Sequence, residues 1–198
     1  ALTVMGRRQD THWSYAKLEA AVRGTGTGLL RLGLKAGDIL LLRLGNTPEF
    51  PIAYLGAIAV GVIPVPTSSQ LTLSEVEKIV TTLKPKAIAY GTSVPSPEEG
   101  EFQRISEADL AEMHALPPCD YVMGEPDRIS YIIYTSGTSG RPRAVMHAHR
   151  AIWARQMMFE GWYGLKDDDR LCHAGAFNWT YTLGTGLMDP WTIGATAL

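Results

Sequence analysis

The sequence predicts an α/β fold of layered sheets with flanking helices, and three observations carry that prediction. Apolar runs of strand length alternate with segments of helical spacing from Ser14 to Tyr90. The run Asp38-Ile-Leu-Leu-Leu-Arg-Leu44 is continuously apolar rather than alternating, as suits a strand covered on both faces. A further apolar strand, Ile129 to Tyr134, leads directly into a glycine- and hydroxyl-rich loop.

Each element has its own signal. Ser14 is an N-cap candidate for a helix carrying Leu18, Ala21, Val22 and Leu29 and ending near Gly33. Thr47-Pro48-Glu49 opens a second helix, with proline in its first turn and an acid close behind. That helix carries Ile52, Tyr54, Leu55, Ile58 and Ala59, and Gly61 stops it. Val62-Ile-Pro-Val-Pro66 is a short strand whose prolines favour a sheet edge or a strand end. Thr72 or Ser74 starts the helix Glu75 to Leu83, and Lys86 to Tyr90 is the next strand.

Residues 91–127 are less regular, with a polar loop from Ser93 to Gly100 and a short helix over Glu107 to Leu116. Beyond the strand and loop after Arg128, Ala144 to Met146 resumes an extended pattern. Helical spacing covers His149 to Trp162, Asp169 to Cys172 reads as a strand, and Tyr181 to Trp191 as a glycine-containing helix. A division follows, with residues 1–127 as a first α/β lobe and residues 128–198 as the loop's strand pair and the start of a second lobe.

Composition excludes several function classes. A net charge of −2 with no basic tail is not the footprint of a nucleic-acid partner. The longest apolar stretch, Ile52 to Pro66, is interrupted by glycine and proline and is too short for a membrane span. Two cysteines, Cys119 and Cys172, make no disulfide framework, so reduced thiols and a cytoplasmic location are expected. The chain opens on Ala1 without an apolar leader and stops at Leu198 in a strand-like run, so both ends read as cut.

The chemistry concentrates in Thr135-Ser-Gly-Thr-Ser-Gly140, where two glycines and four hydroxyls follow an apolar strand. Glycine permits the positive φ that lets successive N–H groups converge on an anion. The hydroxyls of Thr135, Ser136, Thr138 and Ser139 add donors, and Arg143 adds a permanent forked cation suited to phosphate. A Walker-type loop is excluded, since no Gly-Lys-Ser/Thr follows and the next element is extended. On composition alone a plain hairpin turn stays open as the alternative.

The string Tyr134-Thr-Ser-Gly-Thr-Ser-Gly-Arg-Pro-Arg143, followed by Val145 and His149-Arg150, resembles the signature loop of the adenylate-forming, or AMP-binding, superfamily. Trp13 to Leu18, Gly37 to Asn46 and Ala53 to Pro66 resemble the same family's opening helix, first buried strand and following helix and turn. Asn178-Trp179, Gly186 to Trp191 and Gly194-Ala195 resemble the acetyl-CoA and medium-chain acyl-CoA synthetase branch.

The resemblance implies part of the large N-terminal domain of an adenylate-forming enzyme. It also implies an acid–thiol ligase whose substrates are a small carboxylic acid, Mg2+-bound ATP and coenzyme A. Thr135, Ser136, Gly137, Thr138, Ser139, Gly140 and Arg143 become the phosphate-binding residues, Arg143 the catalytic one, and Trp179 an acyl-pocket candidate. No metal ligand falls within the chain, since the family's magnesium-associated acid would come later. The adenine- and ribose-binding motifs and the catalytic lysine would also lie beyond Leu198. Two positions depart from the family pattern: its lysine is Arg143 here, and its following glycine is Ala144. Alternative functions are an adenylation enzyme that loads a carrier protein and a nucleotide-binding pseudoenzyme.

Other features are set aside. Gly24-Thr-Gly-Thr-Gly28 lacks the third glycine and the preceding strand of a dinucleotide fingerprint and reads as a glycine-weakened helix. His147 and His149 have a spacing that could bind metal, but no carboxylate or thiol neighbour completes a set. Asp167-Asp-Asp169 reads as a solvated turn, and Trp153, Met157, Met158 and Phe159 read as core.

Overall fold

The computed structural model describes residues 1–6, 8–135 and 143–198. Its organising element is a four-stranded parallel sheet containing β3 (Ile39–Arg43), β4 (Ile63–Pro66), β5 (Ala87–Tyr90) and β6 (Gln103–Ser106), in the order β4-β3-β5-β6. The continuous apolar run of β3 is explained by the strand's period of two. Leu40 and Leu42 enter one hydrophobic core, while Leu41 enters another on the opposite face. Ala87 and Ala89 of β5 face the first core and Ile88 the second.

The first core is filled by α1 (Tyr15–Arg31) and α2 (Glu49–Ala59), the second by α3 (Leu73–Leu83) through Val76 and Ile79. Helix starts follow their sequence signals. Ser14 accepts a hydrogen bond from the Lys17 N–H at 3.1 Å. Thr72 and Glu75 form a reciprocal capping box, which selects Thr72 over Ser74 as the start of α3. A second such box, Ser106 with Asp109, starts α4 (Glu107–Met113). As the prolines implied, β4 is an edge strand of its sheet, although β7 (Ile129–Thr135) packs against it.

The glycines of Gly24-Thr-Gly-Thr-Gly28 lie inside α1 and let it approach its neighbours closely. A Cβ on Gly24 would stand 2.6 Å from the Met113 carbonyl oxygen, and one on Gly26 2.6 Å from the Cys119 Sγ. Thr25 meets Gly56 of α2 in the same seam. Gly24→Ala is therefore expected to lower unfolding free energy by about 1–3 kcal/mol despite alanine's better helix propensity. Urea denaturation checks this, and a stabilised variant would show that the seam tolerates the methyl group.

Three features differ from the sequence reading. Strand β6 was hidden in the irregular stretch 91–127, because Gln103-Arg-Ile-Ser106 buries only Ile105 fully. Residues Leu2–Val4 (β1) and Thr11–Trp13 (β2) form a hairpin that joins β9 (Arg170–Leu171) and β10 (Thr196–Ala197) in a mixed sheet ordered β2-β1-β10-β9. Strands β1 and β2 are too short for periodicity to register, whereas β9 falls within the expected strand Asp169 to Cys172 and β10 within the strand-like run before Leu198. The segment from His149 is not one α-helix: α5 (His149–Ala154) gives way to a 3-10 turn over Arg155–Met158 and a wide π-type turn over Phe159–Tyr163.

A second π-type segment, Thr182–Met188, precedes α6 (Asp189–Ile193). Phe159 is buried as expected, whereas Trp153 and Met157 are 73% and 87% exposed and do not join the core. They stand four residues apart, on the side of α5 and its 3-10 extension that faces away from the protein. Among the described residues no helix is long and apolar enough to cross a membrane.

Candidate phosphate and acyl site

The site is built on β7 (Ile129–Thr135) and β8 (Arg143–Ala148), an antiparallel pair whose register ends with Thr135 opposite Arg143. Strand β7 is anchored on both faces: Tyr131 and Ile133 belong to the first core and Ile132 to the second. Its outer end emerges into solvent, where the Thr135 hydroxyl lies 3.5 Å from the Arg143 carbonyl oxygen. Ser136, Gly137, Thr138, Ser139 and Gly140 lie outside the described residues. Thr135 and Arg143 are thus the two described ends of the predicted loop, and both are exposed.

A cavity of about 750 Å³ opens beside this end of the hairpin. Tyr134 and Thr135 form one wall, Asn178, Trp179 and Thr180 another, and the segment Pro66 to Leu71 with the exposed face of α3 a third. The structure therefore brings Thr135 and Trp179 to one cavity, while Arg143 stands opposite Thr135 without lining it. Ile79, Ile133, Leu71 and Trp179 make part of the lining apolar, and Thr67, Ser68, Thr82 and Thr180 supply hydroxyls. Lys78 and Glu75 stand at its margin.

The contribution of Thr67, Ser68 and Lys78 was missed from sequence. The hydroxyl run Thr67-Ser-Ser69 directly after a strand end was the available signal. Ligand sites in open parallel sheets gather at the carboxyl ends of strands, and Thr67 follows the carboxyl end of β4.

That third wall is held by Arg43, the last residue of β3, which is fully buried. Its Nε and Nη2 donate to the Pro95 carbonyl at 2.9 and 2.7 Å, and its Nη1 donates to the Thr67 hydroxyl at 3.3 Å and to the Ser68 carbonyl. The Thr67 hydroxyl in turn donates to the Leu42 carbonyl at 2.7 Å, leaving its lone pairs for Arg43. Burial pushes the Arg43 guanidinium down to about 10. A cation held by carbonyls and one hydroxyl fixes the loops after β3, β4 and β5 relative to one another.

The opposite wall rests on another cluster. Asp189 is buried and accepts two bonds from Arg155, at 2.6 and 2.7 Å, and one from the Tyr163 hydroxyl. The broken helix after Ala154 puts Arg155 and Tyr163 within reach of this carboxylate. Burial, then the bond to Asp189, raises the Tyr163 hydroxyl well above its ordinary range. The bond to Asp189 is also the main cause that raises Arg155. The guanidinium lies against Gly184, where a Cβ would sit 2.5 Å from its central carbon.

His147 stacks on Tyr131 with ring centroids 4.6 Å apart, and burial lowers its pKa. His149 opens α5, its N–H donating to the Arg128 carbonyl at 3.2 Å. The two histidines therefore have separate local partners. Asp169 caps its own turn by accepting from the Lys166 N–H at 2.7 Å.

Comparison with known proteins places this geometry in context. The family described as AMP-binding enzyme matches residues 1–198. The chain is 27% identical over 93% of its length to a 3-hydroxybenzoate--CoA/4-hydroxybenzoate--CoA ligase of Thauera aromatica, and covers 39% of that protein. It is 24% identical over 97% of its length to the mitochondrial acyl-coenzyme A synthetase ACSM2A of Homo sapiens, covering 36% of it. Among solved structures, a benzoate CoA ligase from Burkholderia xenovorans LB400 superposes over the whole chain with a TM-score of 0.86 at 24% identity. The chain spans 41% of that structure, so it amounts to about two fifths of the length of these relatives.

Proposed function

Because this chain belongs to the AMP-binding enzyme family, matched over residues 1–198, we propose that it forms part of an AMP-forming acid–thiol ligase. Its contribution is the phosphate loop and part of the acyl-pocket wall. The observation that carries this reading is the hairpin end, with Thr135 facing Arg143, opening beside a cavity that Trp179 also lines.

In the proposed reaction a carboxylate oxygen attacks the α-phosphorus of ATP, the α,β-phosphoanhydride bond breaks, and pyrophosphate leaves. The thiol sulfur of coenzyme A then attacks the acyl carbon, the bond to AMP breaks, and the thiol proton passes to solvent. Thr135, Ser136, Gly137, Thr138, Ser139 and Gly140 hold the β- and γ-phosphates through hydroxyls and backbone N–H groups. Arg143 stabilises the charge that accumulates on departing pyrophosphate. Magnesium enters as the ATP complex, and no residue of this chain is assigned to it.

The apolar lining from Leu71, Ile79, Ile133 and Trp179 supports an acid with an apolar body, aromatic or aliphatic. Residues 1–127 and 128–198 are proposed as the two lobes that meet at this cavity. A cytoplasmic location is part of the same proposal.

The test is carboxylate-dependent exchange of pyrophosphate into ATP by the full-length protein, with aromatic and medium-chain acids as the panel. Arg143→Ala is expected to lower kcat/KM for exchange about a hundred-fold. Arg143→Lys is expected to retain most of the rate, since it keeps the charge. No exchange with any acid, together with a large gain in Arg143→Lys, would instead support a nucleotide-binding protein that has lost its activity. Residues 1–198 alone are expected to form no acyl-CoA.

A further inference from the structure

The walls of the cavity are far apart in sequence, and one side chain joins two of the segments that lead to them. Asn46 lies just beyond β3, at the carboxyl edge of the parallel sheet. Its Nδ2 donates to the Gly175 carbonyl at 3.2 Å, and its Oδ1 accepts from the Phe177 N–H at 3.0 Å. A carboxamide is the side-chain group that answers a backbone C=O and a backbone N–H together, as a neighbouring strand would.

The clamp has support on both sides. Phe50 of α2 packs against Phe177 with ring centroids 5.5 Å apart. From Phe177 the chain turns at once, the Trp179 N–H donating to the Ala176 carbonyl at 3.1 Å. The Leu183 N–H then donates to the Trp179 carbonyl at 2.8 Å, which fastens that turn to the π-type segment behind it. Asn178, Trp179 and Thr180 are thereby delivered to the cavity wall from a loop with two fixed ends.

We infer that Asn46 is a positioning residue that holds the Gly175–Phe177 backbone so that Trp179 stands in the wall facing the acid. This inference rests on the ligase reading above. It separates two sides of one cavity: the phosphate side hangs on the β7–β8 hairpin, to which Asn46 makes no hydrogen bond among the described residues, and the acid side hangs on the loop it clamps. Disturbing Asn46 therefore loosens recognition of the acid while leaving recognition of ATP intact.

The experiment uses full-length protein carrying Asn46→Asp, Asn46→Ala or Asn46→Gln. Aspartate keeps the acceptor for Phe177 but sets a carboxylate against the Gly175 carbonyl, and alanine removes both bonds. Each is expected to raise KM for the acid about ten-fold, with KM for ATP and kcat changed less than about two-fold. Glutamine retains both functions on a longer stem and is expected to recover part of the loss. Hydrogen exchange at the Phe177 amide, read in the same variants, should lose protection in the aspartate and alanine forms without any need for turnover.

An acid KM that stays at the wild-type value overturns the positioning role. So does a parallel fall in kcat and rise in both KM values, because that describes a general structural defect. A wild-type protein with no acid-dependent exchange overturns the ligase reading and the positioning role with it. The amide protection then decides separately whether the clamp exists: unchanged exchange at Phe177 in the alanine form removes it.

Discussion

Arg43→Leu is expected to destabilise the protein by about 3–5 kcal/mol, measured by urea denaturation with the slope unchanged. A buried cation is costly to desolvate, and a leucine in its place removes that cost. The loss comes from what Arg43 leaves behind. The buried Thr67 hydroxyl and the partly buried bonds to the Pro95 and Ser68 carbonyls lose a charged donor, and each group left unsatisfied away from water costs about 1–3 kcal/mol. Gains from removing the charge offset part of this sum, which keeps the expected value near 3–5 rather than higher.

Arg43→Lys discriminates the cause. Lysine preserves charge, but its single ammonium cannot span carbonyls on both flanking loops, so it should recover less than half of the loss. A leucine variant as stable as wild type would mean that the clasp is replaceable by apolar packing. Arg43 also shapes the site, because Thr67, Ser68 and Leu71 line the cavity and Arg43 donates to all three.

How much of this was legible in the sequence depended on which physical signal each element carries. Strand β3 announced itself because both of its faces are buried, which leaves a continuous apolar run. Helix α3 carried a capping box and a strong apolar stripe, so its start fell within two residues of the expectation. Strand β6 carried neither signal. It is an edge strand, its one fully buried side chain is Ile105, and pairing with β5 rather than its own pattern makes it a strand.

The candidate site divided in the same way. The hydroxyl and glycine string was readable because its chemistry is local, and Ser136 to Gly140 remain an assignment from that string. Arg43, Asn46 and Asp189 were not readable as determinants of the walls. Their partners lie 24 to 131 residues away, and nothing in their immediate neighbours marks them. Trp153 and Met157 misled for the converse reason: helical spacing identifies a face but not what that face meets.

Asp189→Ala is the second large effect, an expected loss of about 3–5 kcal/mol in unfolding free energy. The carboxylate is 1% exposed, it closes a two-pronged bond with Arg155, and Tyr163 donates to it as well. Without it the Arg155 guanidinium stays against Gly184 with no anion, and the Tyr163 hydroxyl loses its acceptor. Burial is the main cause that raises the Tyr131 hydroxyl on β7, with the Arg155 and Asp189 charges acting on it in opposite senses. Asp189→Asn keeps the shape, but its amide nitrogen cannot accept from Arg155, so one of the two bonds is lost and the other loses its charge; it should cost less than alanine.

A double-mutant cycle with Arg155→Gln isolates the pair: a coupling energy of about 1–3 kcal/mol is expected, so the double variant is more stable than the sum of the single losses implies. Additive losses would show that Arg155 and Asp189 act independently. A correct coupling with undisturbed pyrophosphate exchange would confine the cluster to stability. Loss of exchange beyond what unfolding accounts for would tie it to the wall that carries Trp179.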